Sequence, residues 1–279
     1  MSMKVHITAD MEGVATISHD YQVDSKNPEF PRSRQLMTDE VKAAIAGAKE
    51  AGASKILVCD AHDTGRNIYV EQLDSDVEVI QGSAYELGMM AGISKDFDAS
   101  LQIGYHSMRH THAGTLGHTF TFNITELRLN GTIVGESGLS AAIAGHFEVP
   151  LVFVSGDEHA VNQARKLVRN VVGVPTKRGV GLYGTHSFTP SKACEMIQEG
   201  VKKALAMTGE IKPVLVKRPI QMQVEFERPL MAQYASRIPL TKRVNIRTVS
   251  FSAKDMIQAF EVFEVMNAVA SYAKDEGPL

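Results

Sequence analysis

The sequence predicts an α/β protein, a mostly parallel sheet flanked by helices and followed by a smaller C-terminal α+β portion. Three observations carry this expectation. Apolar strand-like runs alternate with helix-length patterns through the first 170 residues, which implies βαβ units and parallel neighbours. Asn130-Gly131 lies between two alternating runs, the strongest short signal for an antiparallel hairpin. Beyond Pro175 the style changes to a helix, two strand runs and a last helix. The expected division is an α/β metal-binding catalytic domain at 1–180, with an α+β domain at 181–279 packed on it.

The elements follow in order. KVHITAD (4–10) alternates β-formers and reads as a strand. Pro31 to Glu50 reads as a helix, with proline near its start and Gly52 just past its end. KILVCD (55–60), VEVI (77–80) and ASLQIGY (99–105) are further strands, and residues 119–135 supply the hairpin. Gly135 to Phe147 is a small-residue helix and PLVFVSG (150–156) a strand. Ser155 and Glu158 form a capping-box pattern for the helix after it. Pro190 to Met207 forms a helix with Thr189 as its N-cap. Runs 221–227 and 244–251 are strands. The final helix starts S-x-x-D at Ser252 and Asp255 and carries Met256, Phe260, Phe263 and Met266 on one face.

Composition narrows the function. Basic and acidic residues number 29 and 32, a net charge of −3, which is no footprint for nucleic acid or an anionic membrane surface. The richest apolar stretch, LSAAIAGHFEVPLVFV, is interrupted by His146, Glu148 and Pro150 and falls short of a membrane span. Cys59 and Cys194 make no disulfide framework, Cys59 reading as a buried thiol. With no signal-like segment at the start, the expected location is cytoplasmic. GVGLYG (179–184) matches G-x-G-x-x-G, but no strand leads directly into it and no helix opens within it. It is expected to be a flexible glycine loop rather than a dinucleotide site.

Polar residues gather where strands are expected to end. Asp10 and Glu12 follow the first strand, Asp60, His62 and Asp63 the second, and His106, His110, His112 and His118 the strand near 100. Glu136 stands at a helix start, a favourable place for an anion even without a ligand. The carboxyl edge of a parallel sheet is where loops converge on a ligand. Alternation along an extended chain puts Asp10 and Glu12 on one face, where each carboxylate opposes the other's ionisation. A cation between them removes that conflict. Carboxylates and imidazoles without thiolates suit Zn²⁺, Mn²⁺ or Co²⁺, and this many donors suit two ions sharing a carboxylate. The remaining reading is a polar pocket rim.

Taken together, T-A-D-M-E-G at 8–13, D-A-H at 60–62, G-Y-H at 104–106, His118 and V-G-E-S-G-L at 134–139 resemble the signature of the DppA-like D-aminopeptidases. V-D-S at 23–25, the stretch from Arg34 to Glu40, G-D at 156–157 and A-K-D-M at 253–256 extend the resemblance over nearly the whole chain. It implies a zinc aminopeptidase acting on short peptides, with two zinc ions per chain. Asp10 would bridge the ions, Glu12 and His106 would complete one, and His62 and Glu136 the other. His118 would be the catalytic residue, by resemblance the nucleophile; a metal-activated water would instead leave it to shuttle a proton to the leaving amine or to stabilise the oxyanion. The resemblance also implies a ring-shaped homo-oligomer, a decamer being one form it admits. Asp60 reads equally as a support for a ligand histidine and as a strand end, and Asp63 and Asp157 read as turn or cap residues. His110 and His112 are candidates for the substrate entrance; His6, His19, His146, His159 and His186 are expected to be structural. Two other functions fit the same residues, a dinuclear metal phosphoesterase and a metal-free peptide-binding protein.

Overall fold

A computed structural model describes residues 3–83, 86–181 and 183–274. In chain order the elements are β1 (Met3–Ala9), α1 (Asp20–Val23), α2 (Phe30–Glu50), β2 (Ala53–Asp60), β3 (Glu78–Ile80), β4 (Ala99–Tyr105), β5 (Ile124–Leu129), β6 (Thr132–Ile133), α3 (Glu136–His146) and β7 (Leu151–Asp157). They continue with α4 (Glu158–Leu167), β8 (Val172–Gly181), β9 (Gly184–Ser187), α5 (Pro190–Ala206), β10 (Ile220–Phe226), α6 (Pro229–Ala235), β11 (Thr241–Arg243), β12 (Thr248–Ala253) and α7 (Met256–Lys274).

Seven strands form the first sheet in the order β3-β2-β1-β4-β7-β8-β9. All neighbours are parallel except β8 and β9. β4 and β7 are buried at every residue, as expected where helices cover both faces and the strands read as unbroken apolar runs. Val174 lies under Gly200 of α5 while its neighbour Gly173 lies against Val161 of α4, so those two helices occupy opposite faces. The second sheet, β11-β12-β10-β5-β6, is antiparallel. Its strands alternate buried and more exposed residues, because only one face meets the core. Met256, Phe260, Phe263 and Met266 of α7 are buried in that core.

The sheets do not divide the chain at residue 180. Residues 124–133 pair with the C-terminal strands, and β8, β9 and the partners of α5 lie with the first sheet. The reason is sequence-distant pairing: β5 lies against β10 with Val224 opposite Leu127, which local pattern does not specify. GVGLYG also differs from the loop expected, since Gly179 to Gly181 end β8 and Gly184 opens β9. Gly179 is pressed so close to Ala113 that an added Cβ would lie 1.8 Å from its carbonyl oxygen. Two caps shift as well. Asp157, rather than Ser155, caps α4 by accepting from the His159 amide at 3.0 Å. At α7 the Asp255 carboxylate accepts from the Gln258 amide at 2.9 Å, whereas Ser252 belongs to β12.

Candidate metal centre

β1 sits at the topological switch point, with β2 on one side and β4 on the other. Its carboxyl end is therefore the natural crevice of the sheet. Asp10 leaves β1 there, its amide still bonded to Ile103 of β4 at 2.8 Å. Two glycines let the loops after β1 and β4 close on each other. The Gly13 amide donates to the Gly104 carbonyl at 2.8 Å, and a Cβ on Gly13 would lie 2.0 Å from the Tyr105 oxygen. Gly104, at φ +69°, leaves no room for a side chain against the Asp10 carbonyl.

This closure brings six buried or nearly buried side chains together. His62 Nδ1 lies 2.9 Å from Glu12 Oε2 and 3.5 Å from Asp10 Oδ1. His106 Nε2 lies 3.4 Å from Asp10 Oδ2 and 3.3 Å from Glu136 Oε1, and His118 Nε2 lies 3.7 Å from the same Glu136 oxygen. The His106 and His118 rings stack at 4.1 Å, and Phe122 stacks on His118 at 5.1 Å. Two compact donor groups result, Asp10–Glu12–His62 and His106–His118–Glu136. Glu12 stands with His62, because both come from the β1–β2 side, and His106 stands with Glu136 on the β4 side. Asp10, between them, touches both.

Second contacts fix which nitrogen of each ring faces the carboxylates. His62 Nε2 donates to the Val23 carbonyl at 3.1 Å and His106 Nδ1 to the Ser107 carbonyl at 2.9 Å. The other nitrogens, Nδ1 and Nε2, are left directed at carboxylate oxygens. Lone pairs facing one another in a buried site need a proton or a cation between them. Among the described residues, Asp10 Oδ2, Glu12 Oε2 and His106 Nε2 have no hydrogen-bond partner. A neutral backbone-anchored imidazole beside a carboxylate is how nitrogen and oxygen ligands hold a divalent ion.

Without such an ion, protons carry the charge balance. Burial, then the neighbouring Glu12 charge, pushes Asp10 up to about 7. Burial works against a charged His106, but Glu136 and then Asp10 outweigh it and push the imidazole up to about 10. Burial likewise opposes ionised Glu12, yet His62 holds that carboxyl well below its ordinary value. His118 is lowered by burial and then by the His106 charge. Its Nδ1 donates to the Leu116 carbonyl at 2.8 Å, which leaves Nε2 as the basic nitrogen.

A cleft of about 850 Å³ opens over the cluster, lined by His62, His118, Phe120, Phe122 and Asp63 and by Glu264 from α7. His110 and His112 are exposed and lie outside that lining. Asp60 does more than end its strand. It accepts from the amides of Asn67 and Ile68 at 2.6 and 2.8 Å, and Asn67 Nδ2 in turn donates to the His62 carbonyl at 2.6 Å. It thus braces the loop that carries His62. His6 is buried, with Nε2 donating to Ala91 at 2.9 Å, and His19 caps α1. Lys177 and Phe122 were not singled out by sequence. Lys177 looks like any basic residue after a strand, and its complete burial comes only from the packing of β8 under the loop after β1.

The profile of the D-aminopeptidase family matches residues 3–265. A D-aminopeptidase from Bacillus subtilis (strain 168) is 32% identical over 270 residues, spanning 96% of this chain and 98% of its own. Among solved structures, the Zn-dependent D-aminopeptidase DppA from Bacillus subtilis, a self-compartmentalizing protease, matches with a TM-score of 0.94. It is 31% identical, covering 96% of this chain and 98% of that one.

Proposed function

This chain belongs to the D-aminopeptidase family, and on that premise we propose that it hydrolyses the N-terminal D-residue of short peptides with two zinc ions. The observation that carries the reading is Asp10, whose two oxygens face His62 Nδ1 and His106 Nε2 from opposite sides. Such an arrangement would suit a carboxylate shared between two ions. Asp10, Glu12 and His62 would hold one ion, and Asp10, His106 and Glu136 the other. Ions held there would supply an acidic water near neutral pH and polarise the scissile carbonyl.

The chain's own groups do the rest. Val23 and Ser107 keep protons on the outer nitrogens of His62 and His106, so the inner ones stay free to ligate. His118 is the imidazole of the cluster outside both ligand sets. With its Nδ1 proton committed to Leu116, Nε2 takes a proton from the attacking water and returns it to the leaving amine. This is a more economical role than nucleophile, because the imidazole need form no bond to substrate carbon. Phe120 and Phe122 exclude water from one wall of the cleft. Like its self-compartmentalizing relative, the chain would assemble into a ring-shaped oligomer whose chamber admits only short peptides. Its two unpaired thiols suit the reducing cytoplasm, and no helix among the described residues is long and apolar enough to cross a membrane.

Metal analysis on the purified protein, with D- and L-dipeptides and a phosphate monoester assayed on the same sample, tests the proposal. The expected result is about two zinc ions per chain with turnover confined to peptides bearing an N-terminal D-residue. Cleavage of the phosphate ester without peptide turnover, or protein devoid of metal, would overturn it.

A further inference from the structure

Lys177 ends the parallel run of β8 and is buried directly beneath the loop that carries Asp10 and Glu12. Its Nζ donates to the backbone carbonyl of Glu12 and, at 2.5 Å, to that of Ile17. Two more contacts grip the same loop. The Ala15 amide donates to Glu40 Oε1 at 2.8 Å, and Thr176 Oγ1, next to Lys177, donates to the Gly13 carbonyl at 3.4 Å. The carboxylates whose charge acts on the ammonium are those of Asp157, Glu40, Glu12 and Asp10. A buried ammonium is costly unless it is paired and hydrogen-bonded, and this one directs its donors to main chain, at both ends of a single turn of loop. A methionine of similar length would fill the space with no donor, and an arginine fork would not fit two carbonyls converging on a point.

We propose that Lys177 is a positioning residue: by holding the carbonyls of Glu12 and Ile17 it closes the loop of residues 10–17 and sets the Glu12 carboxylate against His62 Nδ1. The inference rests on the reading of Asp10, Glu12 and His62 as metal ligands. It assigns Lys177 no contact with substrate. Its effect falls on the group that contains Glu12, since Asp10 keeps its own amide bond to Ile103 of β4 and His106 and Glu136 are held by β4, Ser107 and the Phe120 amide.

The test compares the wild-type protein with Lys177→Met and Lys177→Gln, each loaded with Co²⁺ and titrated with a chelator, with circular dichroism to follow the fold. Wild type should bind two ions per chain. Lys177→Met should keep its fold and hold one ion as wild type does, while the other is bound about 10–100-fold more weakly, the range for loss of a ligand's supporting contact. The cobalt absorption bands should change, and kcat should fall while KM holds. Lys177→Gln, which keeps a donor of shorter reach, should lie between. Folded variants with both affinities and the cobalt spectrum of wild type would overturn the inference. So would failure of both to fold with metal supplied, which would make the lysine purely structural. A wild type that binds no cobalt would instead bring down the reading on which the inference rests.

Discussion

The two sides of Asp10 are built differently. Toward β2, Glu12 and His62 are held tightly: Val23 anchors the ring, Asp60 and Asn67 brace its loop, and Lys177 pins the Glu12 carbonyl. Toward β4 stand His106 and Glu136, and with them a third group, His118, on a loop of unusual backbone. His110, Ala113, Leu116 and Phe120 all have positive φ, against Thr16 and Asp63 in the loops of the other side, a conformation that costs non-glycine residues on the order of 1–3 kcal/mol each. Strain of that kind persists only where the surrounding structure over-determines it. On the proposed reading the first side would serve to hold, and the second to hold and react. One cluster would then combine firm ligation with a side chain left free to move protons.

The largest expected effect is the loss of what the two sides share. Asp10→Ala should empty both and reduce turnover by more than about 10⁴-fold, the upper end of what one acid–base residue supplies. Retention of one full equivalent of metal would break the assignment of Asp10 as the bridge. His118→Ala should keep both metals and lose about 10²–10⁴-fold in kcat. If metal content fell instead, His118 would be a ligand and the contrast between the sides would disappear. Asn67→Ala releases the His62 loop without touching a donor atom; metal affinity and activity should fall about 10–100-fold, through the first side alone.

The smallest effect is graded with pH. In the metal-free protein His106 holds its proton up to about 10 and Asp10 to about 7. Metal must displace these protons, so affinity should rise with pH through the range below about 10, roughly tenfold per unit for each proton released. Calorimetry in buffers of different ionisation heat should register that release at pH 7. Binding without proton release would mean that the imidazoles are neutral before metal arrives.

Much of this was legible in the chain. Strand runs such as ILVC and PLVFV announced a sheet covered on both faces, because burial on both sides removes the need for alternation. D-M-E-G, D-A-H and G-Y-H fell at strand ends, and a parallel sheet delivers its strand ends to one edge. Pairing across long separations was not legible. Nothing local told residues 124–133 to join β10 rather than β4, and local pattern did not choose between the serines and the aspartates Asp157 and Asp255 as caps.

The sequence by itself determined which chemical groups are present, the strand-and-turn grammar that carries them to a common rim, and the glycines that let two loops meet there. Only the tertiary structure decided that Glu12 stands with His62 and Glu136 with His106, that His110 and His112 lie outside the cleft lining, and that Lys177 lies beneath the rim. The physical reason is that spacing along a chain fixes the direction of a side chain on its own element, whereas its neighbours depend on the order of strands in the sheet. Asp10 touches both donor groups because β1 lies between β2 and β4.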